Sequence, residues 1–297
     1  MTKPITLLLV FCIFLFTACQ SDNSQSSALA TLEQEVAEAA TPEKTQQLIA
    51  NYVETAATAD AEQASGYLQK AAELHIKNNR FTDAALLLKQ ALREHYSSSL
   101  TPQHTAQLAQ LYRDHLRSPE SALTTVQAAA IAFKDNPAVS ELVAALPKDL
   151  PALEARIDTL ASRMYNDSLG RVNFRMANEY MNAGELYALI LPTRPEAADY
   201  LAKAGETARS VRNFPKALTY YSMISEKYPD SDKAAQAMFL RAFTLDNDLK
   251  KSEEARPLYE AFLKKYPNDD FADDTRFLLE NLGRTDDEII ESFSDKK

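Results

Sequence analysis

Tyr67-Leu68-Gln69-Lys70-Ala71-Ala72-Glu73, followed by Phe81 and Ala84, returns later in the chain as Tyr200-Leu201-Ala202-Lys203-Ala204-Gly205-Glu206, followed by Phe214 and Ala217. Every matched pair is 133 residues apart, and the same offset joins Leu116, Glu120 and Ala122 to Leu249, Glu253 and Ala255. A second, shorter period lies inside the first: Ala84 to Ala122 and Ala217 to Ala255 are each 38 residues apart. Nested periods of this size identify stacked helical hairpins, and here an internal duplication of a unit holding two of them.

The chain between the repeats agrees. It holds 5 glycines in 297 residues, and its apolar residues recur at i, i+3, i+4 and i+7, the spacing of one helix face. Thr41-Pro42, Thr101-Pro102 and Ser118-Pro119 each set a side-chain acceptor before a proline at the first helical position. Thr285 and Glu288 have the spacing of a capping box. Residues 171–191 predict a helix, with a counterpart around Gln46 to Ala57. Pro147 and Pro151 break helix in the 137–151 segment, which is the expected joint between the halves.

These residues resemble the tetratricopeptide repeat (TPR). Leu201, Ala204-Gly205, Ala217, Tyr221 and Pro229 give the best fit; the next repeat keeps Ala242, Ala255, Tyr259 and Pro267, with Arg241 in place of leucine and a turn one residue longer. Ala72, Ala84, Leu88 and Ala91 fit in the first half, where Tyr96 replaces the closing proline. The fold expected is therefore all-α, a TPR-like solenoid of antiparallel hairpins. Ala72, Ala84, Ala122, Gly205, Ala217, Ala242 and Ala255 are expected where helices touch, because only small side chains permit that approach. The segments 224–231 and 262–268 look like those of TPR lipoproteins common in Bacteroidetes-type bacteria, and are similar to the BamD and YbgF-like envelope proteins.

The N-terminus sets an expected location. Lys3 precedes an almost wholly apolar run, Ile5 to Phe16, that ends in Thr17-Ala18-Cys19. This is the layout of a secretory signal, and Leu15-Phe16-Thr17-Ala18-Cys19 resembles the lipobox of bacterial lipoproteins, with Phe16 where leucine is usual. The expected organisation is a signal peptide at 1–18, a lipidated Cys19 with a flexible tether over 19–40, and TPR-like halves at 41–146 and 147–297. Cys12, the other cysteine, lies in the segment to be removed, so no disulfide is expected. With 32 basic and 42 acidic residues the chain carries a net charge of −10, which disfavours nucleic acid. Membrane attachment then depends on the lipid at Cys19. By resemblance, the outer membrane is the expected location.

No residue set points to catalysis. The histidines at 75, 95, 104 and 115 form no metal-binding pair and read as helix-surface residues; the aspartates at 269, 270, 273 and 274 lack the glycine of a calcium loop and suit a helix N-terminus. No cofactor, metal or catalytic residue is expected. The TPR resemblance implies a groove lined by first helices that binds protein segments of other envelope proteins, with Gln69, Glu73, Lys77, Glu206, Arg209, Gln236, Phe239, Phe243 and Asn247 as its contacts; Phe239 and Phe243, one helical turn apart, read equally as core between repeats. The alternative is a glycan-binding surface lipoprotein of the SusD type; such proteins are longer, and sugar platforms favour tryptophan, which is absent.

Overall fold

The computed structural model describes residues 16–166, 171–284 and 287–288. The first fifteen residues of the expected signal, and Thr285 of the expected capping box, lie outside them, as does the Cys19 side chain. Among the described residues no helix is long and apolar enough to cross a membrane. Contacts divide the chain into two compact units, residues 1–104 and 105–297. That division falls inside a helix and not in the 137–151 segment where the sequence copies join.

In the first unit, α1 (Phe16–Glu38), α2 (Pro42–Ala56), α3 (Ala61–Lys77) and α4 (Phe81–Glu94) pack in succession. The reading of residues 19–40 as a tether is corrected here. Leu29, Leu32 and Val36 fall on one face of α1 and pack with Leu48, Ile49 and Tyr52 of α2. Glu33 secures the contact, accepting hydrogen bonds from the Tyr52 hydroxyl at 2.6 Å and from Lys70 at 2.8 Å. A polar stretch does not exclude helix when a few apolar residues at the right spacing find a partner.

Helix α5 (Thr101–Asp114) spans the division between the units. In the second unit α6 (Pro119–Ala132) contacts α7 (Pro137–Ala144), α8 (Leu153–Arg163) and α9 (Phe174–Ile190). From α9 the chain proceeds through α10 (Ala197–Ser210), α11 (Phe214–Lys227), α12 (Ala234–Phe243), α13 (Ser252–Lys265) and α14 (Ala272–Glu280), each packed on the next. Two-residue strands, β1 (Tyr165–Asn166) and β2 (Arg171–Val172), pair antiparallel before α9. They delay the start of that helix to Phe174, where residues 171–191 were expected to be helical throughout.

The nested periods reappear in the backbone. Among the described residues, Asn79, Arg117, Arg212 and Lys250 are the non-glycine residues with positive φ, at 57°, 52°, 61° and 56°. Each stands at the tip of a hairpin turn, and they repeat the offsets of 38 and 133. The tips at Asn79 and Arg212 close by bonds from Arg80 N to His75 O (2.8 Å) and from Asn213 N to Ala208 O (2.7 Å). Those at Arg117 and Lys250 span one residue more, from Ser118 N to Tyr112 O and from Lys251 N to Leu245 O. The extra residue legible between Ala242 and Ala255 is absorbed in a π-helical turn, Thr244–Asp248, that continues α12. Such turns accommodate single insertions without breaking the helix.

Helix starts follow the sequence signals in part. Thr41 Oγ1 accepts from Lys44 N at 3.2 Å as expected. Thr101 instead turns its hydroxyl to the Tyr96 carbonyl (2.8 Å) and is itself helical. Ser118 makes no side-chain cap. At α6 the task passes to Glu179 of α9, whose carboxylate accepts from Ser121 N (3.0 Å) and Ser121 Oγ (2.6 Å). Glu179 is 3% exposed, and a buried carboxylate is tolerable here because it meets unbonded N–H groups at the positive end of a helix dipole. Arg156 of α8 also holds α6, donating to Gln127 at 2.7 Å and pairing with Glu120.

The small residues stand at the crossings. Ala72, Ala84, Ala217, Ala242 and Ala255 are fully buried, and Ala122 nearly so. Gly205 is the tightest of the expected positions: a Cβ there would come within 2.6 Å of the Tyr221 ring. Gly184, which the sequence did not single out, is as close to backbone, 2.7 Å from the Tyr200 carbonyl oxygen. At Gly66 in α3 the nearest atom would be Leu100 Cδ1 at 3.9 Å. Glycine costs helix stability wherever no contact requires it. Gly205→Ala and Gly184→Ala are expected to lower stability by about 1–3 kcal/mol through overpacking, whereas Gly66→Ala should raise it by roughly 0.5–1 kcal/mol. Urea denaturation of the three variants checks the contrast.

Two histidines expected on helix surfaces are buried, His75 at 6% exposure and His104 at 0%. Ser65 Oγ hydrogen-bonds His104 Nδ1 at 3.4 Å, and Nε2 has no partner. Burial pushes the His104 imidazole down to about 4, against a smaller opposing pull from Glu62. The unfolded chain therefore binds a proton near pH 6.5 that the folded chain refuses until about pH 4. Stability from this group is complete above pH 6.5 and is lost as pH falls through that window. Between pH 7 and pH 5 the native chain should lose about 2 kcal/mol more than His104→Gln, by denaturation at the two values.

Candidate interaction groove

Helices α10 and α12 bound a groove in the second unit, with a volume of about 760 Å³. Its floor depends on Gly205. With no side chain at that position, the Tyr221 ring from α11 lies directly against α10 and reaches the groove. Tyr221 is 1% exposed, and its hydroxyl has no hydrogen-bond partner. Burial and the carboxylate of Glu206 push the phenol well above its ordinary range, so it is a neutral O–H donor at any physiological pH.

One wall carries Glu206 and Gln236, joined by a bond from Gln236 Nε2 to Glu206 Oε1 at 3.1 Å. The other is built by the π-helical turn, which presents Asp248 to Arg209. Arg209 Nε donates to Asp248 Oδ2 at 2.5 Å and Nη2 to Oδ1 at 3.4 Å, and Asn247 Nδ2 donates to the same carboxylate at 3.2 Å. The guanidinium stacks over the Phe243 ring, 4.8 Å from its centroid. Arg209 is thus fixed from below by an aromatic face and from the side by a carboxylate, an arrangement suited to planar guanidinium and not to lysine.

Four expected contacts, Glu206, Arg209, Gln236 and Asn247, line this one groove. Phe243 lies behind Arg209, half-buried. Phe239 is corrected to core: it is 7% exposed, stacks on Phe271 at 4.6 Å and packs beside Tyr259 and Phe262. Gln69, Glu73 and Lys77 belong to the first unit, spaced by four along α3, with Gln69 donating to Glu73 at 3.1 Å. Sequence reasoning missed Tyr221 as a groove residue, because its position in the repeat marks it as packing, and missed Asp248 and Lys250, which line the groove through the lengthened turn. The extra residue between Ala242 and Ala255 was the available signal.

Among the described residues no cluster of three or more histidine, cysteine or acidic side chains could hold a metal ion. Glu206 and Asp248 already accept from Gln236 and Arg209, and no nucleophile with an adjacent base lines the groove. What the site offers is a shaped surface of charged, amide and aromatic side chains. No curated protein matches the chain. Residues 236–269, from the groove wall on α12 through the lengthened turn and α13 to the segment beyond Pro267, match the family model of the tetratricopeptide repeat.

Proposed function

We propose that this protein is a non-catalytic interaction scaffold that holds a segment of a partner protein in the groove between α10 and α12. The carrying observation is the convergence of Glu206 and Arg209 of α10, Gln236 of α12 and Asn247 of the π-helical turn on one groove. The groove volume suits a few residues of peptide. The repeat match supports the same reading, since stacked hairpins present such surfaces for protein partners.

The setting we propose is the bacterial cell envelope, with the chain attached through acylated Cys19, by resemblance at the outer membrane, and in a role in envelope assembly or maintenance. The support is the apolar run ending at Thr17-Ala18-Cys19.

The two parts are tested in one set of cells. A photo-crosslinker at Gln236 should capture a discrete partner that one at exposed Lys134 does not. Arg209→Lys keeps the charge but loses the planar fork held by Asp248 and Phe243, so capture at Gln236 should fall severalfold while circular dichroism stays unchanged. Undiminished capture by Arg209→Lys refutes the groove. Acyl labelling that persists in Cys19→Ser refutes the anchor.

A further inference from the structure

We propose that the paired strands β1 and β2, with Arg163 before them and the first turn of α9 after them, form a contact site for an anionic phospholipid surface. Phe174 and Tyr165, at 63% and 55% exposure, are the most exposed large apolar residues among those described. They bracket the paired strands, Tyr165 opposite Val172 and Phe174 opening α9 just beyond. Arginines 163, 171 and 175 stand among them, all exposed, and none forms an ion pair with another described residue. The sequence from 163 to 175 thus sets three arginines against one acidic residue, Asp167, in a chain of net charge −10.

The placement runs against what folding alone favours. Arg175 lies in the first turn of α9, which holds no acidic residue, although a helix N-terminus favours anions and disfavours cations. Two exposed rings gain nothing from water, and every other aromatic residue whose side chain is described, except Phe277, is at least half-buried. Exposed aromatic rings interleaved with arginines that no described acidic residue pairs match the boundary of a bilayer. There rings settle at headgroup depth while the cations meet lipid phosphates. A protein groove would instead cover the rings with apolar surface and need carboxylates for the arginines, so an acidic protein partner is the rival that the test must separate.

The test uses the full chain and two kinds of vesicle, pure phosphatidylcholine and an equal mixture with phosphatidylglycerol, read by co-sedimentation. The apolar residues 5–16 are common to all variants, so the ratio between the vesicle types reads this site. Native chain should bind the anionic vesicles at least about tenfold more strongly, with the preference fading at high salt. Replacing Arg163, Arg171 and Arg175 by glutamine should abolish the preference, and replacing them by lysine should keep it. Tyr165→Ser with Phe174→Ser should weaken binding to the anionic vesicles; all these side chains are exposed, so circular dichroism should stay unchanged. Equal binding of native chain to both vesicles, or a preference that survives the glutamine variant, overturns the proposal. An acidic protein captured through these residues without vesicle preference overturns it in favour of the rival.

Discussion

Close approach of paired helices is the constraint on which this structure depends. A hairpin of two short helices buries too little surface to stand alone, and it gains enough only if its helices touch along their length and neighbours cover both faces. Contact at that distance leaves room for a methyl group or less, which is why alanine or glycine recurs at Ala72, Ala84, Gly205, Ala217, Ala242 and Ala255. Gly205 shows how far one such choice propagates. Its missing side chain lets the Tyr221 ring cross beneath α10, and that ring in turn floors the groove. Packing and binding surface therefore share an atom-scale origin.

The second determinant is a single extra residue. A helix can pass an inserted residue into its loop or wind it into a wider turn, and the segment Thr244–Asp248 takes the second course. Its outcome is chemical as well as geometric. The wider turn brings Asp248 to Arg209 and Asn247 to the groove edge, so the wall of the site is made by the irregularity and not by the regular repeat.

Much of this was legible in the chain. Two nested offsets located the hairpins, and the conformations at Asn79, Arg117, Arg212 and Lys250 follow the same offsets. Repetition is readable because each copy solves one packing problem with similar residues. What escaped reading was unrepeated. Glu179 serves as the cap of α6 from a distant helix, and no local signal marks a carboxylate for a partner 58 residues away. His75 and His104 are buried although histidine is common on surfaces, because burial depends on which helix faces which. The docking of α1 rests on three apolar residues in a polar stretch, too few to announce themselves. Among the expected contacts Phe239 and Phe243 are one turn apart, yet Phe239 enters the core beside Phe271 while Phe243 supports Arg209; only about 40° around the helix separates them, and spacing alone does not fix where the edge of the buried face falls.

Three of the four hairpin tips carry Arg117, Arg212 or Lys250, exposed and in a left-handed conformation. Trypsin-like proteases cut after arginine and lysine, but they grip a substrate as an extended strand added to their own sheet. A tip bent through positive φ and closed by backbone bonds only five or six residues long cannot be drawn out in that way. The cleavable residues are therefore on display and shielded by shape alone, and each becomes a target only when its own hairpin opens. The site of a first nick therefore reports which hairpin has opened.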